Sequence, residues 1–447
     1  MLNYFVGSPH CSTTLHEMPP WQQFFILHAC YIIDFWSNFA VRKHQLYFIS
    51  HVVFFKNMTT NNKHISSAIK YIGVDDPDLP MFESQYVLEN GMAYNSYFID
   101  DDHIAVMDAV DARKIDEWMA NVDACLADRQ PEYLVVLHME PDHSAGVKRF
   151  LQTYPEAKVV GNAKTFTFLS QFFHDFDFEG RTIMVKDGDT LSLGSHSLQF
   201  IIAPMVHWPE TMVAFEPTEQ VLFSADAFGK FGVYDADPHD WTCEARRYYF
   251  NIVGKYAAPV QVLLKKIAPL PISVIAPLHG PVLKENLPFY IDKYNTWSSY
   301  MPEDEGVFIA VASIHGHTLE AANIMAEKLR RRGVKVAMSD IAREDIAEAV
   351  EDAFRYDRLL LAAASYDGGV FTPMEFFLSR LKHKNYQNRR VAIIENGTWS
   401  PTAAKTIKST LEDMKQISIV EPVVTIRSAF KPSDEQAFNA LADALAQ

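Results

Sequence analysis

The sequence predicts an α/β protein built in two parts, a layered strand-rich sandwich followed by a doubly wound parallel sheet. Three observations carry the prediction. Short apolar runs recur between turn signals from Ile99 to about Leu222, and several bear Asp, His or Glu where they end. From Gly306 onward, apolar strands alternate with amphipathic helices, as in a parallel sheet covered on both faces. The polar, Pro-containing stretch 295–306 separates the two patterns.

In the first part the runs are HIAVMDAV (103–110), YLVVLHME (133–140), AKVVGN (157–162), RTIMVKDGD (181–189), LQFIIAP (198–204) and VLFSADAF (221–228). Segments 109–126 and 146–155 have helical spacing between them, so this part alone reads as α/β or α+β. Ionisable residues at strand ends put function on the exit loops. In the second part GVFIAVAS (306–313) reads as a strand, and 317–333 as an amphipathic helix stopped by Gly333. A strand over 334–340, a helix over 343–356, a strand over 357–365 and a helix over 372–383 follow. The strand 389–396, a helix over 401–414, and a last strand and helix within 418–447 complete the pattern. The predicted organisation is an atypical extension over 1–57, a first domain over 58–298 and a second over 304–447.

The extension is rich in aromatic and β-branched residues and nearly free of carboxylates, whereas Met58 opens ordinary globular composition. Residues 21–41 are almost long enough to span a bilayer, but Gln22, Gln23, His28, Asp34 and Asn38 interrupt them. No basic region followed by a small-residue cleavage site marks a signal peptide. The leading reading is a translated upstream region with Met58 as the natural start. An interaction or membrane-surface extension and a true anchor are the alternatives.

With 447 residues, 48% of them apolar, the chain can fill more than one core. A net charge of −16 and the lack of a basic stripe exclude a nucleic-acid partner. The nearest basic run, HKNYQNRR (383–390), reads as a solvated loop. The four cysteines, Cys11, Cys30, Cys125 and Cys243, form no CxxC pair. That disfavours a disulfide framework, a structural zinc site and a rubredoxin-like iron centre, and fits a reducing cytoplasm.

The stretch LHMEPDHSAG (137–146) sets His138, Glu140, Asp142 and His143 directly after an apolar run. Unpaired buried charge is costly, whereas converging donors of these types hold a metal. His207 in IIAPMVHWPETM, Asp226 in VLFSADAFG and His279 in VIAPLHGPV each follow β-like residues and precede a turn. All can therefore converge on one edge of a sandwich. Taken singly, each has an ordinary explanation, such as a satisfied core histidine or a turn-forming aspartate. Taken jointly, they read as a metal centre.

The order HxExDH followed by His, Asp and His resembles the metallo-β-lactamase fold in the version found in flavodiiron proteins. Hydrolases of that superfamily carry histidine where this chain has Glu140. A carboxylate there adds negative charge and a hard oxygen donor, which favours iron over zinc. The resemblance implies one iron held by His138, Glu140 and His207, a second by Asp142, His143 and His279, and Asp226 bridging them. In some members the histidine matching His143 stands off the metal. Met205, Trp208, Phe228 and Tyr256 are the pocket neighbours to expect.

The segment VASIHGHTLEAA (311–322) is a strand, a polar loop and a helix start. The hydroxyls of Ser313 and Thr318, Gly316 and the free N–H groups of a helix N-terminus suit a phosphate. The loop is not GxGxxG, so a dinucleotide is unsupported. It is similar to the flavodoxin pattern S/T-x-x-G-x-T, with Ile314 inside it. His315 and His317 stand where flavodoxins more often have an aromatic and an Asn, Ser or Gly. Flavodoxin-like domains flank their flavin ring with two later loops, here ASYDGGVFTPMEFF (364–377) and ENGTWSPTAAK (395–405). The resemblance makes Ser365, Tyr366, Asp367, Gly368 and Gly369, then Asn396, Gly397, Thr398 and Trp399, candidate contacts to FMN. Tyr366 and Trp399 are placed to lie against the ring, and the backbone near the glycines at its polar edge.

The resemblance covers residues 64–447 and implies a reductase of O2 to water, of NO to N2O, or of both. Electrons would pass through FMN to two non-haem irons. Family members assemble as head-to-tail homodimers, or dimers of these, and the simplest two-domain class takes electrons from a separate carrier such as rubredoxin. The competing readings are a metal-dependent hydrolase with a flavodoxin-like appendage, in which Asp142 helps activate a metal-bound water, and an electron-transfer or redox-sensing protein using FMN alone.

Overall fold

Two facing sheets and a separate parallel sheet organise the chain. The computed structural model describes residues 63–236 and 240–447, so the extension read over 1–57 lies outside the described residues.

The first sheet runs in the order Ile69–Tyr71, Tyr97–Ile99, Ala105–Met107, Tyr133–Val135, Lys158–Gly161 and Thr182–Met184. Its first two pairings are antiparallel and the rest parallel. The second runs Thr190–Ser192, Ser197–Ile202, Met212–Glu216, Val221–Phe223 and Val274–Ala276, antiparallel except for the last pair.

Side chains alternate across each strand, so one residue faces the opposite sheet and the next faces a helix. Tyr97, Ile99, Ala105, Met107, Tyr133 and Val135 share one core with Leu198, Phe200, Met212, Ala214 and Phe223. Phe98, Val106 and Leu134 instead pack with Trp118, Val122 and Phe150 from the helices Ile115–Leu126 and Val147–Thr153. Val213, Leu222 and Ile275 do the same with Val260 and Leu263 of Ala257–Ile267. The result is a four-layer αββα sandwich, in line with the expected metallo-β-lactamase-like fold.

The third sheet runs Val336–Asp340, Asp304–Ala312, Tyr356–Tyr366, Arg389–Asn396 and Ile417–Ile426, every pair parallel. This is the 2-1-3-4-5 order of doubly wound sheets, which receive ligands beyond the C-terminal strand ends. Val307, Ile309 and Val311 pack against the helices His317–Arg331 and Glu435–Ala446, while Phe308, Ala310 and Ala312 face the opposite helical layer. Burial on both faces explains why the strands read as continuous apolar runs.

Two polar stretches do more than their sequence reading says. Across residues 295–306, read only as the boundary between the two patterns, the helix Leu287–Ser298 fills the first part and the strand Asp304–Ala312 the last. Between them Glu303 accepts from Arg246 at 2.9 Å, Lys293 at 2.6 Å and Trp297 Nε1 at 2.8 Å. Arg246 also reaches Glu351 at 2.9 Å and Arg247 reaches Asp345 at 2.8 Å, so the polar residues serve a buried contact between sandwich and third sheet. Beside it Phe250 stacks on Phe354 at 4.3 Å. Residues 383–390 are likewise no simple loop, because Tyr386 is buried and the Arg389 guanidinium donates to the Tyr300, Phe354 and Tyr356 carbonyls.

Candidate metal centre and cofactor cleft

The LHMEPDHSAG motif leaves the first sheet just past Tyr133–Val135. Asp108 Oδ1 accepts from Leu137 N at 2.7 Å and from His138 N at 3.3 Å, which turns the chain out of the strand. The short helix Pro141–Ser144 then carries Asp142 and His143 inward. His207, Asp226 and His279 follow strands of the second sheet. Left-handed backbone at the non-glycine residues Asp108, Met205, Ala225 and Phe228 marks these ligand-bearing loops as strained, a habit of functional sites.

All seven predicted donors meet. His138, Glu140, His207 and Asp226 each offer an atom within 4.8 Å of the others, and so do Asp142, His143 and His279. In the first group His207 Nε2 stands 2.9 Å from Glu140 and 3.1 Å from Asp226 Oδ2, and His138 Nε2 is 3.3 Å from each carboxylate. In the second, His279 Nε2 lies 3.1 Å from His143 Nε2 and 3.3 Å from Asp142. Asp226 spans both groups, its other oxygen reaching His143 Nε2 at 3.1 Å.

The tautomers follow from the outer partners. His279 Nδ1 faces the Ala93 carbonyl at 2.8 Å and must donate to it, so Nε2 is the atom presented to the cluster. His138 Nδ1 meets Glu210 Oε1 at 2.9 Å with the same consequence. Both Asp226 oxygens, both Asp142 oxygens and His143 Nδ1 are buried without a hydrogen-bond partner. Such a convergence of carboxylates and imidazole nitrogens needs protons or cations at its centre. Burial pushes the Asp226 carboxyl up, but the His138 and His143 imidazoles outweigh it and hold Asp226 well below the usual range. Burial disfavours a charged His207, yet the Asp226 and Glu140 carboxylates beside it bring it to about 9. Imidazoles and carboxylates thus balance one another here, and the mixed N/O donor set fits hard or borderline metal ions.

Three functional residues escape sequence reasoning. Glu210 fixes His138 and also accepts from Met139 N at 2.8 Å. Asp108 aims the motif. Tyr248 is fully buried, with its ring 5.5 Å from His279 and its hydroxyl unpartnered. Burial first, then Asp226, Glu140 and Asp142, raise its pKa well above that of a free phenol. Of the expected neighbours, Trp208 stands edge-on to His138 at 5.4 Å, Phe228 packs on Tyr294 at 4.3 Å instead, and Met205 and Tyr256 are half-buried.

At the C-terminal ends of the third sheet lies a cleft of about 680 Å³, within the usual span of cofactor sites. Ser313, Ile314, His315, His317 and Thr318 line one side; Ser365, Tyr366, Asp367 and Gly368 line another, and Asn396, Gly397, Thr398 and Trp399 a third. Gly316 and Gly369 are not in the wall. Gly316, at φ +95°, turns the chain into the helix His317–Arg331, and Gly369 pairs with Tyr366. Asp367 and Gly368 are both left-handed, at φ +46° and +73°, as a two-residue hairpin turn requires.

The Ser313 and Ser365 hydroxyl oxygens also build the loops, accepting from Gly316 N at 3.1 Å and from Thr402 N at 2.8 Å. Tyr366 is 47% exposed and Trp399 87%, so their ring faces are open to a planar ligand. Thr402 and Ser428 also line the cleft, and the sequence reading missed them.

The chain matches the family model described as "ODP family beta lactamase" over residues 92–280. It is 32% identical to "Diflavin flavoprotein A 1" of Synechocystis sp. over 303 residues, covering 66% of this chain and 52% of that protein. With the "Anaerobic nitric oxide reductase flavorubredoxin" of Vibrio vulnificus it shares 24% identity over 381 residues, 83% of this chain and 76% of that one. The solved flavodiiron protein from Giardia intestinalis superposes with a TM-score of 0.80 at 22% identity, covering 86% of this chain and 95% of that chain. The rubredoxin oxygen:oxidoreductase from Desulfovibrio gigas gives 0.80 at 22%, covering 86% and 97%. This chain spans 52% to 66% of the length of the first cyanobacterial relatives it matches.

Fold and donor order together define a metallo-β-lactamase-like sandwich joined to a flavodoxin-like sheet. In both respects the chain is similar to the diflavin flavoproteins and flavodiiron proteins.

Proposed function

We propose that this protein reduces O2 to water, NO to N2O, or both, at a non-haem diiron centre supplied with electrons through FMN. The observation that carries the reading is the convergence of seven His, Asp and Glu donors at one end of the sandwich, with Glu140 among them. In this reading His138, Glu140 and His207 hold one iron, Asp142, His143 and His279 the other, and Asp226 both. Bound there, the two irons supply the redox chemistry of diatomic ligands, which is theirs rather than the protein's. The chain's own residues fix the donors and exclude water. Glu210 and the Ala93 carbonyl orient His138 and His279, and Tyr248 brings a buried hydroxyl to the same region.

FMN is assigned to the third-sheet cleft, its phosphate at the 313–318 loop and its ring against Tyr366 and Trp399. A separate electron carrier of the rubredoxin type and a head-to-tail homodimer, or a tetramer, complete the proposal, with domains at 58–298 and 304–447 and a cytoplasmic location. Among the described residues no helix is long and apolar enough to cross a membrane.

The test is iron, zinc and FMN content per chain after purification without oxygen, followed by turnover with each gas. About two irons and one FMN per chain are expected from the two donor groups. Zinc with little flavin, persisting after iron-replete expression, would move the assignment to the hydrolase.

A further inference from the structure

We propose that Asn95 is a positioning residue for the second donor group. It holds the His279 loop in place, so metal binding to Asp142, His143 and His279 depends on it while binding to the first group does not. The inference rests on the diiron reading.

Asn95 is fully buried and follows the strand Met92–Tyr94. Its side-chain amide spends both protons on the loop that carries His279, donating to Pro277 O at 2.8 Å and to Gly280 O at 2.7 Å. Its backbone N–H donates to Leu278 O at 2.8 Å. Three carbonyls flanking His279 therefore end on one residue. Tyr71 donates from its hydroxyl to Asn95 Oδ1 at 3.0 Å, which fixes the amide's orientation. A flipped amide would point its oxygen at two carbonyls.

Two residues earlier, Ala93 accepts from His279 Nδ1 at 2.8 Å. One short segment thus sets both the ring, through Ala93, and the loop, through Asn95. The loop's ends are closed by the Ile275–Leu283 bridge and Tyr97 donates from its hydroxyl to Pro277 O at 2.7 Å, but neither reaches the Gly280 carbonyl. Pro277 has no N–H, Gly280 is left-handed at φ +73°, and Leu278 N donates to Ala225 O at 2.9 Å. Ala93, Tyr97 and Leu278 belong to the core between the sheets. Without the amide, Pro277 O keeps the Tyr97 hydroxyl but Gly280 O loses its side-chain donor in an environment poor in water, and the loop must shift to recover one. The first group has different supports, Glu210 and Asp108, and gains nothing from Asn95.

The test titrates metal-free full-length protein with Co2+ under chelator competition and resolves the two metals per chain. Asn95→Asp keeps the shape but replaces a two-proton donor with an acceptor, and Asn95→Ala removes the group. Both should weaken one metal about 10–100-fold, the usual cost of losing an outer partner of a ligand, and leave the other metal and the FMN content unchanged. Asn121→Ala is the control, since Asn121 also clamps two backbone carbonyls, Ile72 O at 3.2 Å and Gly73 O at 3.3 Å. It should leave both metals alone. Equal loss of both metals in the Asn95 variants, wild-type affinity for both, or the same weakening in Asn121→Ala overturns the proposal. If the Asn95 variants do not fold, Tyr71→Phe decides, because it frees the amide to turn without removing it. A second metal held as tightly as in the wild type then overturns the proposal. A wild-type chain that binds fewer than two metals overturns the diiron reading instead.

Discussion

Glu210 Oε1 lies 2.9 Å from His138 Nδ1, and neither side chain is exposed to solvent. The carboxylate holds the imidazole so that Nε2 alone is offered to the centre, and makes it a stronger donor. Glu210→Gln keeps the size and loses the charge. Affinity at the first donor group should fall about 10–100-fold, as for other outer partners of metal-bound histidine. Metal titration of the variant checks this; unchanged affinity would remove Glu210 from the site.

Asp226→Ala should abolish gas reduction and leave flavin binding intact, because Asp226 faces both donor groups and the cleft belongs to the other domain. The check pairs anaerobic flavin titration with O2 and NO uptake. Wild-type turnover would sink the diiron assignment.

Trp399 offers an almost uncovered ring at the cleft. Trp399→Ala should weaken FMN by about 1 kcal/mol, or roughly fivefold, the scale of an aromatic stack. Recovery of flavin fluorescence on dilution reads the dissociation constant. Equal affinity would place the ring elsewhere.

Glu303 ties acid stability to the contact between sandwich and third sheet. Burial pushes its carboxyl up, but Arg246, then Lys293 and Trp297, hold it down at about 2. Its folded pKa lies below the unfolded value near 4.5, so its stabilisation is present above about pH 4.5 and is lost as pH falls through about 2. The contribution is of the order of 3 kcal/mol. Glu303→Gln should lower the unfolding midpoint at neutral pH and flatten its fall in acid. Trp297, whose indole N–H donates to Glu303, reports the change by fluorescence. A variant with the wild-type acid slope would contradict the assignment.

The donors were legible because metal chemistry demands particular residue types where apolar runs end. His138, Glu140, His207, Asp226 and His279 each break such a run in plain view. Glu210, Asn95 and Tyr248 are ordinary residue types whose meaning lies in partners brought in by folding. Glu210 meets His138 across 72 positions of sequence and Asn95 meets Gly280 across 185. The stretch 383–390 misled for a related reason. Its polar composition reads as solvent-facing, whereas Arg389 finds buried partners in distant segments. The third sheet was the more readable half, because regular β–α alternation leaves few topologies open.

The donor set has a consequence beyond chemistry. His138, Glu140, Asp142 and His143 hang from the first sheet, and His207, Asp226 and His279 from the second. Any ion bound there is a crosslink between two layers otherwise joined by apolar contact and by hydrogen bonds such as those of Glu210 and Asn95. Ligation energy is then also folding energy. Metal shortage should loosen this end of the sandwich while the flavodoxin-like sheet, with no donor in the set, keeps its fold. The cell's iron supply would thus govern how long the protein survives as well as whether it works.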